Sequence, residues 1–165
     1  MSERSPHSEH SSRREKILEN LFIGEVLRNL WNREGYNVEL LQSDIDAAGY
    51  DLVLSLPNGL RYIQLKAMTR AKSCKVNGKI SDKIGGCVVV MIVSEELKFK
   101  NFLWFGNSIS KNCEDVRQGR VAKHEKGNST GFKAARKDSY VINRGQFDEL
   151  ANWDQVVNNL LSEEL

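Results

Sequence analysis

The chain has 165 residues, a length that one hydrophobic core accommodates, so a second domain is not expected. Hydrophobic residues at 40% and charged residues at 28% match the usage of globular domains and exclude a disordered or membrane-embedded composition. The net charge of +2 hides a partition: residues 1–60 carry six basic and ten acidic side chains, residues 61–83 seven basic against Asp82 alone, residues 106–143 eight against four, and residues 144–165 one against five.

A positive middle between acidic ends suits a nucleic-acid or other acidic partner if it lies beside a site, and is otherwise a solvated face. No apolar run approaches the ~18 residues that span a bilayer, and the first dozen residues lack a signal-peptide core, so no membrane association and a cytoplasmic location are expected. Cys74, Cys87 and Cys113 are odd in number, widely spaced and far from the histidines, which reads as free thiols.

Residues 1–12 are polar without periodicity and are expected to be a disordered tail, leaving 13–165 as one domain. A helix is predicted from about Ser12, with Ser12 and Glu15 as a capping box and Ile17, Leu18, Leu21, Phe22, Val26, Leu27, Leu30 and Trp31 as its apolar positions, ending at Gly35. Glu25 falls within the face made by Leu18, Leu21 and Phe22. A carboxylate there needs a cation, a metal or a polar cleft, unless it reaches solvent at the helix edge.

Tyr36 to Leu41 reads as a first strand, followed by a polar loop with Asp44 and Asp46. Tyr50 to Leu56 alternates, with Leu52, Leu54 and Leu56 on one face and Asp51 on the other. Pro57-Asn58-Gly59-Leu60 is a turn, and Arg61 to Ala67 a third strand. A loop at Asn58-Gly59 places Asp51 across from Lys66 and diagonal to Gln64, all on one face. By spacing alone this trio is either a site or a solvent-facing hairpin with a cross-strand ion pair.

Met68 to Lys83, with Arg70, Lys72, Lys75 and Lys79, is expected to be an irregular basic excursion able to track a phosphate backbone. Gly86 to Val93 is apolar without alternation, the pattern of a central strand buried on both faces. Phe99 to Phe105 is another strand whose aromatics belong to the core. Gly106 to Asp138, with Arg120, Lys123 and Lys133, reads as helix and loop on the substrate side. Its glycines lack P-loop spacing, and His124 reads as a surface residue. Tyr140 to Asn143 makes a short strand, and Gln146 to Leu161 an amphipathic helix. The expected fold class is α/β, with a mixed central sheet of about four or five strands flanked by helices.

Glu25 on a first helix, then Gly49-Tyr50-Asp51-Leu52-Val53-Leu54, then Ile63-Gln64-Leu65-Lys66-Ala67 resembles the core of the PD-(D/E)xK nucleases, the restriction endonuclease-like and Holliday-junction resolvase-like enzymes. The likeness covers roughly residues 15–93. Tyr50 stands where the motif has Pro, and Gln64 replaces the second acid, as in the Mrr-like branch. The resemblance implies a Mg²⁺-dependent (or Mn²⁺-dependent) endonuclease acting on DNA. It makes Asp51 a direct metal ligand, Gln64 a carbonyl ligand, Glu25 an inner or water-mediated ligand, and sets Lys66 beside the attacking water.

Those residue types suit the chemistry independently. Phosphodiester hydrolysis calls for a hard cation on oxygen ligands and a cationic group near the nucleophile. Two other readings remain open: a nuclease-fold module that binds nucleic acid without cutting it, and a protein-interaction subunit. An enzyme cutting two strands would act as a homodimer, though no segment of the sequence announces a symmetric interface.

Overall fold

The structure, a computed structural model, describes residues 10–33, 37–44, 48–123, 129–131 and 135–162. Helix α1 (Ser11–Trp31) is followed by β1 (Glu39–Gln42), β2 (Leu52–Leu56), β3 (Gly59–Met68), β4 (Cys74–Asn77), β5 (Gly86–Val93), β6 (Phe99–Gly106), β7 (Arg120–Lys123), β8 (Ala135–Ile142), β9 (Asp148–Leu150) and helix α2 (Trp153–Leu161). Among the described residues the 3-10 turns Gly78–Asp82, Val116–Gln118 and Arg144–Gln146 lie between them.

The strands form two sheets, one of six in the order β1-β2-β3-β5-β6-β9 and one of three in the order β4-β8-β7. The large sheet is mixed, because β3 and β5 run parallel while its other neighbours are antiparallel. The α/β class therefore holds, with more strands than the sequence suggested. Parallel neighbours need a crossover. Here that crossover is β4 and the Gly78–Asp82 turn, so the segment from Met68 to Lys83, expected to be irregular, starts the small sheet.

Three layers follow from side-chain alternation. Leu18, Phe22, Val26 and Leu30 of α1 and Val156, Val157 and Leu160 of α2 pack with Leu52, Leu54, Ile63, Val89 and Met91 on one face of the large sheet. Val88, Val90, Ile92, Leu103 and Phe105 on its other face pack against Cys74, Val76 and Ile142 of the small sheet. Strand β5 feeds both cores with alternate side chains, so all eight of its residues are buried and the run shows no alternation. Buried Phe102, Trp104 and Phe105 place the β6 aromatics in the core, as expected.

Four local expectations are corrected. The hairpin turns at Pro57-Asn58 instead of Asn58-Gly59: Leu56 pairs with Gly59 and Leu52 with Ile63. Gly59 has φ +148°, a conformation that L side chains rarely adopt. The stretch from Gly106 to Asp138 holds a 3-10 turn and strands among its described residues, with no α-helix. Helix α2 begins at Trp153, where Asn152 accepts a hydrogen bond from the Gln155 N–H, because Asp148–Leu150 pairs with β6 as an edge strand. The N-cap of α1 is His10 without a side-chain cap, so Ser11 and Ser12 are helical and Glu15 belongs to no capping box. Residues 1–9 of the expected tail, and the Gly35 stop, lie outside the described residues. No described helix is long and apolar enough to cross a membrane.

Candidate active site

Strand β2 ends at Leu52 while β3 runs on to Met68, so beyond Leu65 the β2 side of β3 has no strand partner. A cleft of about 510 Å³ opens there. Asp51 stands at the step. Its N–H donates to the Ile63 carbonyl at 2.8 Å and its carbonyl accepts from the Ser43 N–H at 2.8 Å. Its carboxylate Oδ2 accepts the Leu65 N–H at 2.7 Å, taking the place of the next β2 residue and satisfying an edge donor.

The observed register pairs Leu52 with Ile63, two residues from the expected pairing, and the Asp51 N–H also goes to the Ile63 carbonyl, so the regular ladder stops at Leu52. Asp51, Gln64 and Lys66 nevertheless converge, and all three line the cleft. The cross-strand Asp51–Lys66 ion pair of the solvent-facing hairpin reading does not form; Lys66 makes no ion pair among the described residues.

Gln64 is only 6% exposed and both ends of its amide are engaged. Its Nε2 donates to the Gly49 carbonyl at 3.1 Å and its Oε1 accepts from the Asn77 N–H at 3.1 Å. The side chain thus bridges the loop before β2 to the end of β4, fixing the small sheet against the cleft. Gly49 completes this lock. With φ +80°, it lies so close to the following 3-10 turn that a Cβ would meet the Lys79 Cβ at 2.8 Å.

Glu25 is not part of this assembly. Its carboxylate accepts a hydrogen bond from Arg28, and it does not line the cleft. The helix contributes Glu15 and Glu19 instead. At about 100° per residue, Glu15 falls in the middle of the stripe made by Leu18, Phe22, Val26 and Leu30, whereas Glu25 sits at its edge and about 15 Å further along the axis. Glu15 is nevertheless exposed, because at the N-terminal end of α1 that stripe overhangs the cleft. An acid centred on the buried stripe was the sequence signal, masked by assigning Glu15 to a cap. Glu19 accepts from Gln42 Nε2 at 2.7 Å and pairs with Lys16.

The far wall is the small sheet, with Lys75 and Asn77 from β4 and Asp138 and Ser139 from β8. Asp138 has φ +53°, a left-handed conformation uncommon for a side-chain-bearing residue. No sequence pattern pointed to it. Four carboxylates, Glu15, Glu19, Asp51 and Asp138, outnumber the ammoniums of Lys66 and Lys75, giving a cleft that attracts cations. The Cys74 thiol is pushed up to about 11 by burial, and the Lys66 and Lys72 ammoniums are near enough to oppose that shift. Lys72 is exposed on the loop between β3 and β4.

Of the other expected nucleic-acid contacts, Arg70 is exposed on the loop after β3, Lys79 is half-buried beside Gly49, and Arg120 and Lys123 are exposed on β7. Lys75 and Arg120 both pair with Val141, so they share one face of the small sheet about 10 Å apart. Lys133 and His124 lie outside the described residues.

The donors facing the cleft are carboxylate and amide oxygens, the set that suits a hard cation such as Mg²⁺. Among the described residues no three of Asp, Glu, His and Cys form a metal-binding group. Mg²⁺ is commonly held by one or two carboxylates together with waters and substrate phosphates, so Asp51 with Glu15 or Glu19 fits it. Compared with known proteins, the chain matches no family model and no curated protein, so the functional reading rests on this geometry.

Proposed function

We propose that the chain is a metal-dependent endonuclease that hydrolyses phosphodiester bonds, with DNA as its substrate, on a restriction endonuclease-like fold. The observation that carries this reading is the meeting of Asp51, Lys66 and the helix carboxylates Glu15 and Glu19 in one cleft. Asp51 and a helix glutamate would hold Mg²⁺ or Mn²⁺, which supplies Lewis-acid polarisation of the phosphate and a more acidic water. Lys66 orients the attacking water and offsets charge that develops on the phosphate oxygens. The Leu65 N–H fixes the carboxylate of Asp51, so its orientation does not depend on the ligand. Lys72, Lys75 and Arg120 supply positive charge along the path away from the cleft, where a phosphate backbone would lie.

Cleavage of plasmid, single-stranded DNA, branched DNA and RNA, with Mg²⁺, Mn²⁺ or chelator, tests the reading. Wild type should cut with metal only, and Asp51→Ala and Lys66→Ala should each lower turnover by about 10² or more while leaving the fold intact. Retained turnover in either variant would sink the assignment.

A second reading, a nuclease-fold module that binds nucleic acid without cutting, is favoured by one observation. The Gln64 amide is already committed to backbone partners at both ends. Salt-sensitive binding without cleavage would select it.

A further inference from the structure

The far wall of the cleft carries a donor that the chemistry at Asp51 and Lys66 does not use. Asn77 ends β4, lines the cleft and is held at two points. Its backbone N–H donates to Gln64 Oε1 at 3.1 Å, and its side-chain Oδ1 accepts the Lys79 N–H at 3.0 Å. That oxygen also lies 3.3 Å from where a Cβ on Gly49 would stand. Only the oxygen of an amide can accept from an N–H, so the orientation of this one is determined. Oδ1 is turned into the lock between Gly49 and the Gly78–Asp82 turn, and Nδ2 is the end left over. Among the described residues Nδ2 has no hydrogen-bond partner and is not buried without one, so it is open to solvent.

Ser139 pairs directly with Asn77 across β4 and β8, which sets their Cβ atoms about 5 Å apart on one face. Lys75 stands on the same face two residues back, about 7 Å along the strand. All three line the cleft, and the Ser139 hydroxyl makes no hydrogen bond among the described residues. The wall thus presents an amide NH₂, a hydroxyl and an ammonium together. Its acid, Asp138, belongs with Asp51, Glu15 and Glu19 to the carboxylates that attract a cation.

We propose that Asn77 Nδ2, Ser139 Oγ and Lys75 form a subsite for a backbone phosphate of the substrate, the one next to the phosphate being cut. The proposal rests on the nucleic-acid reading of the cleft. A polyanion entering a cleft in which carboxylates outnumber ammoniums needs hydrogen-bond donors besides the cation, and these three supply them. A base edge fits less well. Asparagine reads adenine by donating and accepting at once, and here the acceptor end is turned away. A phosphate only accepts. The bond from Asn77 to Gln64 ties the subsite to β3, two residues from Lys66, so its position relative to the reacting phosphate is set before substrate arrives. Contacts of this kind fix the register of the strand without reading its sequence.

The test is binding of fluorescein-labelled oligo(dT), oligo(dA) and mixed-sequence DNA by anisotropy, with Ca²⁺ in place of Mg²⁺ so that binding is read without cleavage. Urea midpoints verify folding. Asn77→Ser keeps an oxygen for the Lys79 N–H but withdraws the donor, and Ser139→Ala deletes a hydroxyl that no described residue uses. Both should fold as wild type and bind about three- to tenfold more weakly on all three sequences. Asn77→Asp keeps the acceptor and sets a carboxylate against the phosphate, so it should lose more than about tenfold. Lys75→Ala should also lower the salt slope by about one, whereas the neutral donors release no counterion and their loss leaves the slope unchanged. Wild-type affinity in both Asn77→Ser and Ser139→Ala overturns the subsite and leaves the cleavage reading to Asp51→Ala and Lys66→Ala. A loss in Asn77→Ser confined to one base sequence assigns the amide to a base edge and overturns the phosphate assignment. Wild type that binds without ever cutting overturns the nuclease reading alone, and wild type that does not bind overturns both.

Discussion

Replacing Gln64 with glutamate restores the acid that the resembling nucleases carry, and the structure gives that change a cost. The Gln64 Nε2 donates to the Gly49 carbonyl at 3.1 Å in a site only 6% exposed. A carboxylate cannot donate, so Gln64→Glu leaves the Gly49 carbonyl without its partner and sets two acceptors against each other. A lost bond together with a buried, mismatched acceptor costs about 2–4 kcal/mol at neutral pH. The second bond, from the Asn77 N–H to Oε1, survives and offsets little of this.

The pH dependence has a definite sign. A protonated glutamic acid can donate to the Gly49 carbonyl, so the folded-state pKa of the new group lies above the ordinary ~4.3. The variant's stability relative to wild type is therefore highest below that value and is lost as pH rises through the raised folded pKa. Urea denaturation at pH 5 and pH 8, with and without Mg²⁺, measures it. A destabilised variant at pH 8 that Mg²⁺ partly rescues identifies Gln64 as a bridge that also faces the cation. A variant as stable as wild type at pH 8 without metal refutes the bridge.

Arg61→Met should cost about 3–5 kcal/mol by urea midpoint, because the fully buried guanidinium donates to the carbonyls of Leu160 at 3.0 Å, Asn159 at 2.9 Å and Asn107 at 2.9 Å, and all three would lose a partner. Gly49→Ala should lower stability by about 1–3 kcal/mol and cleavage with it, since φ +80° and the 2.8 Å approach to Lys79 Cβ both exclude a side chain; unchanged melting would contradict the lock. Burial pushes Cys74 up to about 11 and Cys87 up to about 12 from 9.0, so the folded chain retains thiol protons that the unfolded chain has released. Stability should therefore fall as pH rises from 9 through 11, by about 2 kcal/mol for Cys74, and Cys74→Ala should flatten part of that slope.

The elements legible in the sequence were those whose burial is decided within one sheet or one helix. Strand β5 announced itself because both its faces are covered, and the β2–β3 hairpin because Leu52, Leu54 and Leu56 alternate. Of the small sheet only the Tyr140 end of β8 was legible. Strands β4 and β7 are four residues each, Cys74 and Val76 of β4 face a core supplied by β5 and β6 while Val121 of β7 is exposed, and the long intervals between β4, β7 and β8 hide their pairing. Strand β9 was absorbed into the helix that follows because Phe147 and Leu150 fit a helical spacing as well as an edge strand.

The candidate site divides along the same line. Asp51, Gln64 and Lys66 could be placed together without knowing the turn type, because side-chain direction in a strand has period two and the error in register was two residues. An error of one would have sent Gln64 and Lys66 to the opposite face from Asp51. The helix acid had no such protection: with 3.6 residues per turn, choosing Glu25 over Glu15 changes both the angle and the height at which a carboxylate meets the sheet. The deciding fact was where α1 overruns the sheet edge, which is set by the packing of Leu18 and Phe22 against Leu52 and Ile63 and by no local pattern around either glutamate. Asp138 and Ser139 are a stronger case, since they reach the cleft only because β8 pairs with β4, and the Asn77 end of β4 is tied to the cleft by a hydrogen bond to Gln64. Gln64, which the sequence resemblance sets where a motif acid would stand, thus carries the contact that brings the second sheet to the site.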